Sequence, residues 1–230
     1  MIYMTGDTHA DIDRIIDFCR KVPTSKEDIM IILGDAGFNY FCNTADQELK
    51  QKAQELPLTF FCIHGNHEER PQNIKTYQET EFHGGTAFRE EAFPDLYFAK
   101  DGEFYQLGGK TCLVIGGAYS VDKFYRLAFG YHWYESEQPD DAEKQRIEQK
   151  ITEHGWKTDY VLSHTCPYAT RPTHLFLSGI DQSKVDNSME HWLQKISDQL
   201  EFERWYFGHY HDDWKNGRYE MLFRSIIELT

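Results

Sequence analysis

Five short stretches of this sequence carry side chains able to bind metal cations. They are Asp7-Thr8-His9, Gly34-Asp35, Gly65-Asn66-His67-Glu68, Ser163-His164 and Gly208-His209-Tyr210-His211. Their donors are oxygen and imidazole nitrogen, with no thiolate among them. That set suits first-row ions such as Mn, Fe or Zn acting as Lewis acids. A carboxylate can bridge two such cations about 3.5–4 Å apart, the spacing of two-metal hydrolytic sites. The chemistry implied is hydrolysis by a hydroxide that the cations generate near neutral pH. Singly, a DxH pair or a histidine such as His164 is more often a packing or surface residue. The order of all five blocks is what points to a site.

Each block follows an apolar segment. Residues 2–5, 28–33 and 58–63 read as buried strands, and 159–162 and 204–207 as two more. Ligands of open α/β sheets sit at the carboxyl ends of strands, so these ends predict one shared rim. Glycines before Asp35, Asn66 and His209 let the chain turn sharply there. Ile12, Ile15, Ile16, Cys19 and Val22 recur at helical spacing, and 43–55, 140–154 and 186–200 read as further helices. Shorter strands are expected around Phe82 and at 96–98, 103–107 and 111–115. Gly108-Gly109 signals a hairpin, and Asn216-Gly217 a type I′ turn. Residues 118–139 read as a long aromatic loop and 165–182 as a second loop. The expectation is one α/β domain over residues 1–230 with a mixed sheet.

The chain of 230 residues carries 24 Lys+Arg against 38 Asp+Glu, a formal charge of -14. Two divalent cations would leave it acidic, so nonspecific nucleic-acid binding is not expected. Five cysteines without a CxxC pair indicate neither a disulfide framework nor a thiolate zinc site. No apolar run approaches the ~18 residues of a membrane span, and residues 1–5 already read as a core strand. The expected location is therefore cytoplasmic.

In this order the blocks DxH, GD, GNHE, a lone His and GHxH resemble the calcineurin-like metallophosphoesterases, from Asp7 to His211. The resemblance implies a two-layered mixed β-sandwich flanked by helices, with a dinuclear site at the sheet rim. By position, Asp7, His9 and His211 would hold one divalent ion together with Asp35. Asp35 would bridge to a second ion held by Asn66, His164 and His209. His67 would face the leaving group as a proton donor, while metal-bridged hydroxide attacks phosphorus. The protein Ser/Thr phosphatases of the superfamily continue the second block as GDxVDRG. Here Phe38 stands where an Asp would orient the histidine, and Asn39 where an Arg would clamp phosphate.

Outside the metal-binding blocks, Tyr119 and Asp122 in the aromatic segment read either as a substrate wall or as part of a secondary core. Arg171 reads as a phosphate clamp or as a surface arginine, and Arg126 and Arg70 have weaker claims. Asn39 completes the candidate substrate contacts. The expected activity leans to phosphodiester hydrolysis on a small or nucleotide-like substrate. The alternatives are a phosphomonoesterase or unusual protein phosphatase, favoured by any arginine reaching the metal pair, and an inactive scaffold. Oligomeric state is not legible.

Overall fold

The computed structural model describes residues 1–176 and 178–230. In chain order the strands are β1 (Ile2–Thr5), β2 (Ile29–Ile32), β3 (Thr59–Cys62), β4 (Tyr77–Phe82), β5 (Gly85–Glu90), β6 (Leu96–Ala99), β7 (Phe104–Leu107), β8 (Lys110–Ile115), β9 (Tyr160–Ser163), β10 (Arg204–Phe207), β11 (Trp214–Asn216), β12 (Tyr219–Met221) and β13 (Ile227–Glu228). The helices are α1 (Asp13–Lys21), α2 (Thr44–Gln54), α3 (Lys123–Phe129), α4 (Asp141–Glu153) and α5 (Ser188–Gln199).

The strands form two mixed sheets. The first runs β13-β1-β2-β3-β6-β5-β4 and the second β11-β12-β10-β9-β8-β7. In each, four strands are parallel: β1, β2, β3 and β6 in one, β8, β9, β10 and β12 in the other. Strand alternation explains the layering. Ile29 and Ile31 of β2 face inward and pack with Val114, Leu162 and Tyr206 of the opposite sheet. Met30 and Ile32, on the other face, pack under Ile12 and Ile15 at the start of α1 and Ala53 of α2. The second sheet repeats the pattern, with Leu113, Val161 and Trp205 under Ile147, Leu193 and Ile196 of α4 and α5. Each such side chain, fully buried, contributes on the order of 1.5–3 kcal/mol. The result is a two-layered β-sandwich flanked by helices.

Capping fixes where two helices begin. Asn43 accepts from the Ala45 amide (2.8 Å), and Asp140 from the Glu143 amide (2.8 Å). Gly108-Gly109 forms the two-residue turn between β7 and β8, both glycines at positive φ.

Three expectations need correction. The turn between β11 and β12 is Gly217-Arg218 rather than Asn216-Gly217, because Asn216 still pairs with Tyr219. Only Gly217 has positive φ, as in a type II′ turn. Residues 118–139 are not one loop, since they contain α3 and a 3₁₀ turn at Glu135–Glu137. The β4–β5 hairpin extends well beyond Phe82, with His83-Gly84 at its tip. The 165–182 loop carries short 3₁₀ turns, and its residue 177 lies outside the described set.

Candidate active site

The carboxyl ends of β1, β2 and β3 meet those of β9 and β10 at one rim of the sandwich. Asp7, Asp35, Asn66 and His164 are buried there, and His9 and His211 stand at its open side. His9 Nε2 and His211 Nε2 lie 2.8 Å apart, and Asp7 Oδ2 is 3.2 Å from His211 Nε2. Asp7, His9 and His211 form one group with metal-holding geometry, and Asp7, Asp35 and His164 form another. His164 Nε2 lies 3.6 Å from Asp35 Oδ2 and 2.8 Å from Asn66 Oδ1, and His209 Nδ1 lies 3.0 Å from that same oxygen.

The two aspartates divide their oxygens alike. Asp7 Oδ1 accepts from the His209 amide (2.9 Å), and Asp35 Oδ1 from the His67 amide (2.8 Å). Each thereby holds a neighbouring loop with one oxygen and leaves Oδ2 in the centre. Asp7 Oδ2 is buried and makes no well-aligned hydrogen bond among the described residues, with His211 Nε2 its near neighbour at 3.2 Å. His164 Nδ1 donates to the Leu33 carbonyl (2.8 Å), which frees Nε2 to accept a cation. Asn66 Nδ2 donates to Ser120 Oγ (2.9 Å), so its oxygen is the atom turned to the imidazoles. Glu68 is fully buried and accepts from the amides of Ala36, Gly37 and Gly65, stitching the GD and GNHE turns together.

The backbone is strained where the site is built. His9, Asp35, His209 and His211 all have positive φ, between 46° and 70°. The glycines beside them act mainly by lacking a side chain. A Cβ on Gly65 would sit 2.0 Å from Asp35 Oδ1, and one on Gly208 2.3 Å from Asp7 Oδ1.

Electrostatics fit a cation site. Burial pushes the Asp35 carboxyl up, but the charge of His164 outweighs it and holds the pKa well below the usual range. Burial would lower His164, yet Asp35 raises it to about 9, so in the absence of metal it takes a proton. Burial and the neighbouring His164 charge press His209 down to about 3. Concentrated anionic oxygen beside several imidazole nitrogens matches divalent cations with mixed N/O ligation.

Two cavities border this rim. The first, about 390 Å³, touches Asp35, Asn66, His67, His209 and His211 and extends past Tyr119 and Phe176 to Arg171 and Glu190. The second, about 450 Å³, is bounded by His9, Tyr40, Phe41, His67 and Arg126. Asp122 lines both. Arg171 stacks on Tyr168 (3.6 Å) and donates to Asn187, which fixes it in the wall of the first cavity.

Arg126, which had only a weak claim from sequence, lines the second cavity. Its Nε donates to Asp122 Oδ2 (2.8 Å), Nη1 donates to the Tyr40 hydroxyl (3.2 Å), and Nη2 is 3.4 Å from His67 Nε2. Asn39 lines neither cavity and cannot act as a substrate contact. It is buried, with its Oδ1 accepting from the Tyr77 hydroxyl (3.0 Å). Phe38 is core, packed edge-on to Phe60. Arg70 is structural too, paired with buried Asp101 and the Ser136 carbonyl.

Comparison with known proteins agrees with this geometry. The family model described as calcineurin-like phosphoesterase matches residues 1–213. No curated protein sequence matches the chain. One solved crystal structure covers 96% of this chain and 88% of its own at 13% identity, with a TM-score of 0.53, a likeness of fold. TT1561 of Thermus thermophilus aligns over 96% of this chain and 87% of its own, at 12% identity and a TM-score of 0.47. A protein serine/threonine phosphatase from Saccharomyces cerevisiae aligns over 96% and 66%, at 15% identity and a TM-score of 0.35. No helix among the described residues is long and apolar enough to cross a membrane. With nearly the whole chain matched and the histidine- and aspartate-lined rim at its centre, the protein belongs to the calcineurin-like phosphoesterase family and to its chemistry, metal-dependent hydrolysis of phosphate esters.

Proposed function

We propose that the chain hydrolyses phosphomonoesters with two divalent cations, for which manganese, iron and zinc are the candidates. One would be held by Asp7, His9, His211 and Asp35. The other would be held by Asp35, Asn66, His164 and His209. When bound, such ions supply Lewis-acid charge and lower the pKa of water.

The observation that carries the monoester reading is Arg126 beside His67. A terminal phosphoryl group is dianionic and has three non-bridging oxygens, whereas a diester has two and one charge. A guanidinium beside a cation pair adds the positive group that the third oxygen needs. This reverses the lean to diesters, which rested on the missing Asp/Arg pair at Phe38 and Asn39 and on the GHxH ending.

His67 is the proposed proton donor. Burial lowers its pKa, Asp35 opposes this and Arg126 adds to it. Its Nε2 faces Asn66 Nδ2 (3.2 Å) as well as Arg126, so the free imidazole is neutral with Nε2 accepting. An arriving phosphate dianion offsets the Arg126 charge and raises the histidine pKa, so the proton is taken up with substrate and passed to the leaving oxygen.

A second reading is supported by the cavities. They flank His67 and Asp35 from two sides and offer room for both arms of a diester. Turnover of matched chromogenic mono- and diesters with added Mn²⁺, with His67→Ala as control, separates the two. Monoester preference that Arg126→Ala abolishes supports the proposal. A diester preference indifferent to Arg126 overturns it.

A further inference from the structure

The far end of the first cavity holds a group that phosphoryl chemistry does not use. Glu190, in the first turn of α5, is 4% exposed and forms part of the cavity wall. Its Oε1 accepts from Thr165 Oγ1 (2.9 Å), and Thr165 Oγ1 is 3.1 Å from the Tyr210 hydroxyl. Because Thr165 gives its proton to Glu190, it accepts from Tyr210, and both hydroxyls are ordered towards the carboxylate. Oε2 has no partner among the described residues. A buried acceptor without a donor loses its hydration uncompensated, and such a group in a cavity wall has its hydrogen-bonding capacity free for a ligand.

The rest of the wall narrows the ligand class. Tyr119, Leu175, Phe176, Ile180, Val185 and Tyr210 make it mainly apolar. The Phe176 and Tyr210 rings are near parallel at 21°, a surface for a flat ring. Arg171 lines the same cavity, and its charge already acts on Glu190. With that counter-charge in place, the buried, unpartnered oxygen suits a neutral N–H donor rather than a second cation. The same volume reaches Asn66, His67 and His209 at its other end.

We infer that this cavity is a nucleobase subsite, in which the ring packs on Phe176 and Tyr210 and an exocyclic amino group donates to Glu190 Oε2. It rests on the phosphoesterase reading above, since the phosphate of the same nucleotide would lie at the metal-binding rim. The substrate class is then a nucleotide whose base carries an amino group.

The test uses nucleosides without phosphate, so that binding does not depend on the rim. Adenosine, guanosine and cytidine are titrated calorimetrically into the full chain, each against its analogue without the amino group: purine riboside, inosine and pyrimidin-2-one riboside. At least one natural nucleoside should bind about tenfold or more tightly than its analogue, as a hydrogen bond to a charged group requires. In Glu190→Met that preference should shrink to within about twofold. Glu190→Gln, whose carbonyl still accepts, should keep part of it, which separates lost recognition from misfolding. No binding of any of the three, or a preference that survives Glu190→Met, overturns the inference. Turnover of a chromogenic aryl phosphate by the same protein keeps the two readings apart. Turnover without nucleoside binding sinks only the subsite, and nucleoside discrimination without turnover sinks only the hydrolase reading.

Discussion

The Asp35 carboxylate accepts the His67 backbone amide at 2.8 Å through Oδ1, while its Oδ2 faces His164 and His9 at 3.6 and 3.9 Å. One side chain thus joins the proposed bridging position to the loop of the proposed acid. Asp35→Asn should lose both ions together and lower kcat/KM more than about 100-fold. Elemental analysis checks this: full two-metal occupancy in the variant would show that Asp35 bridges nothing.

His67→Ala should behave differently. The bond to Asp35 comes from the main chain and survives the substitution, so both ions should stay. Loss of the proton donor should lower kcat by about 10²–10⁴. Its effect should be smallest on esters with very acidic leaving groups, which need no proton. A comparison across a leaving-group series would expose a purely structural role as a uniform drop.

Glu190 gives a pH signature. Burial raises its pKa above the ordinary 4.5. The folded protein therefore binds this proton more tightly than the unfolded chain does. The associated stability is fully present below about pH 4.5 and is lost as pH rises through the folded value. Glu190→Gln removes that loss. Its melting temperature relative to wild type should climb as pH rises above the ordinary 4.5, and a flat difference would count against the shift.

Lys50 and Glu90 form a buried ion pair at 2.6 Å, away from the rim. Lys50→Met leaves the Glu90 carboxylate buried without its cation, although Thr76 still donates to it. We expect a loss of about 3–5 kcal/mol in chemical denaturation, largely recovered by pairing it with Glu90→Leu. Equal losses in the single and double variants would contradict this.

Much of the fold and of the rim could be read from residue order, and the reasons are local. The four-residue parallel strands are continuous apolar runs, and Asp35, Asn66, His164 and His209 come within a few residues of their ends. The β4–β5 hairpin hid because β4 is an edge strand whose middle, Gln78 to Glu81, is polar and largely exposed. The segment around α3 misled for the opposite reason. Phe124, Tyr125, Leu127 and Phe129 are apolar yet more than half exposed, so hydrophobicity does not report their packing. Arg126 reaches His67 only because α3 forms, and no spacing in the chain encodes that approach. Asn39 and Arg70 turn inward to Tyr77 and Asp101, partners 38 and 31 residues away.

The rim draws on both layers of the sandwich. Asp7, Asp35 and Asn66 hang from the first sheet, and His164, His209 and His211 from the second. A cation gripped from both sides would be a rivet between two layers that otherwise meet through a mainly apolar core and a few hydrogen bonds. Parting the layers would then require releasing the ion, so heat denaturation and metal loss become one event. Free metal at a thousand times its dissociation constant adds about 4 kcal/mol to such an assembly. Chelation should consequently loosen the whole molecule, with the protease sensitivity of both sheets rising together.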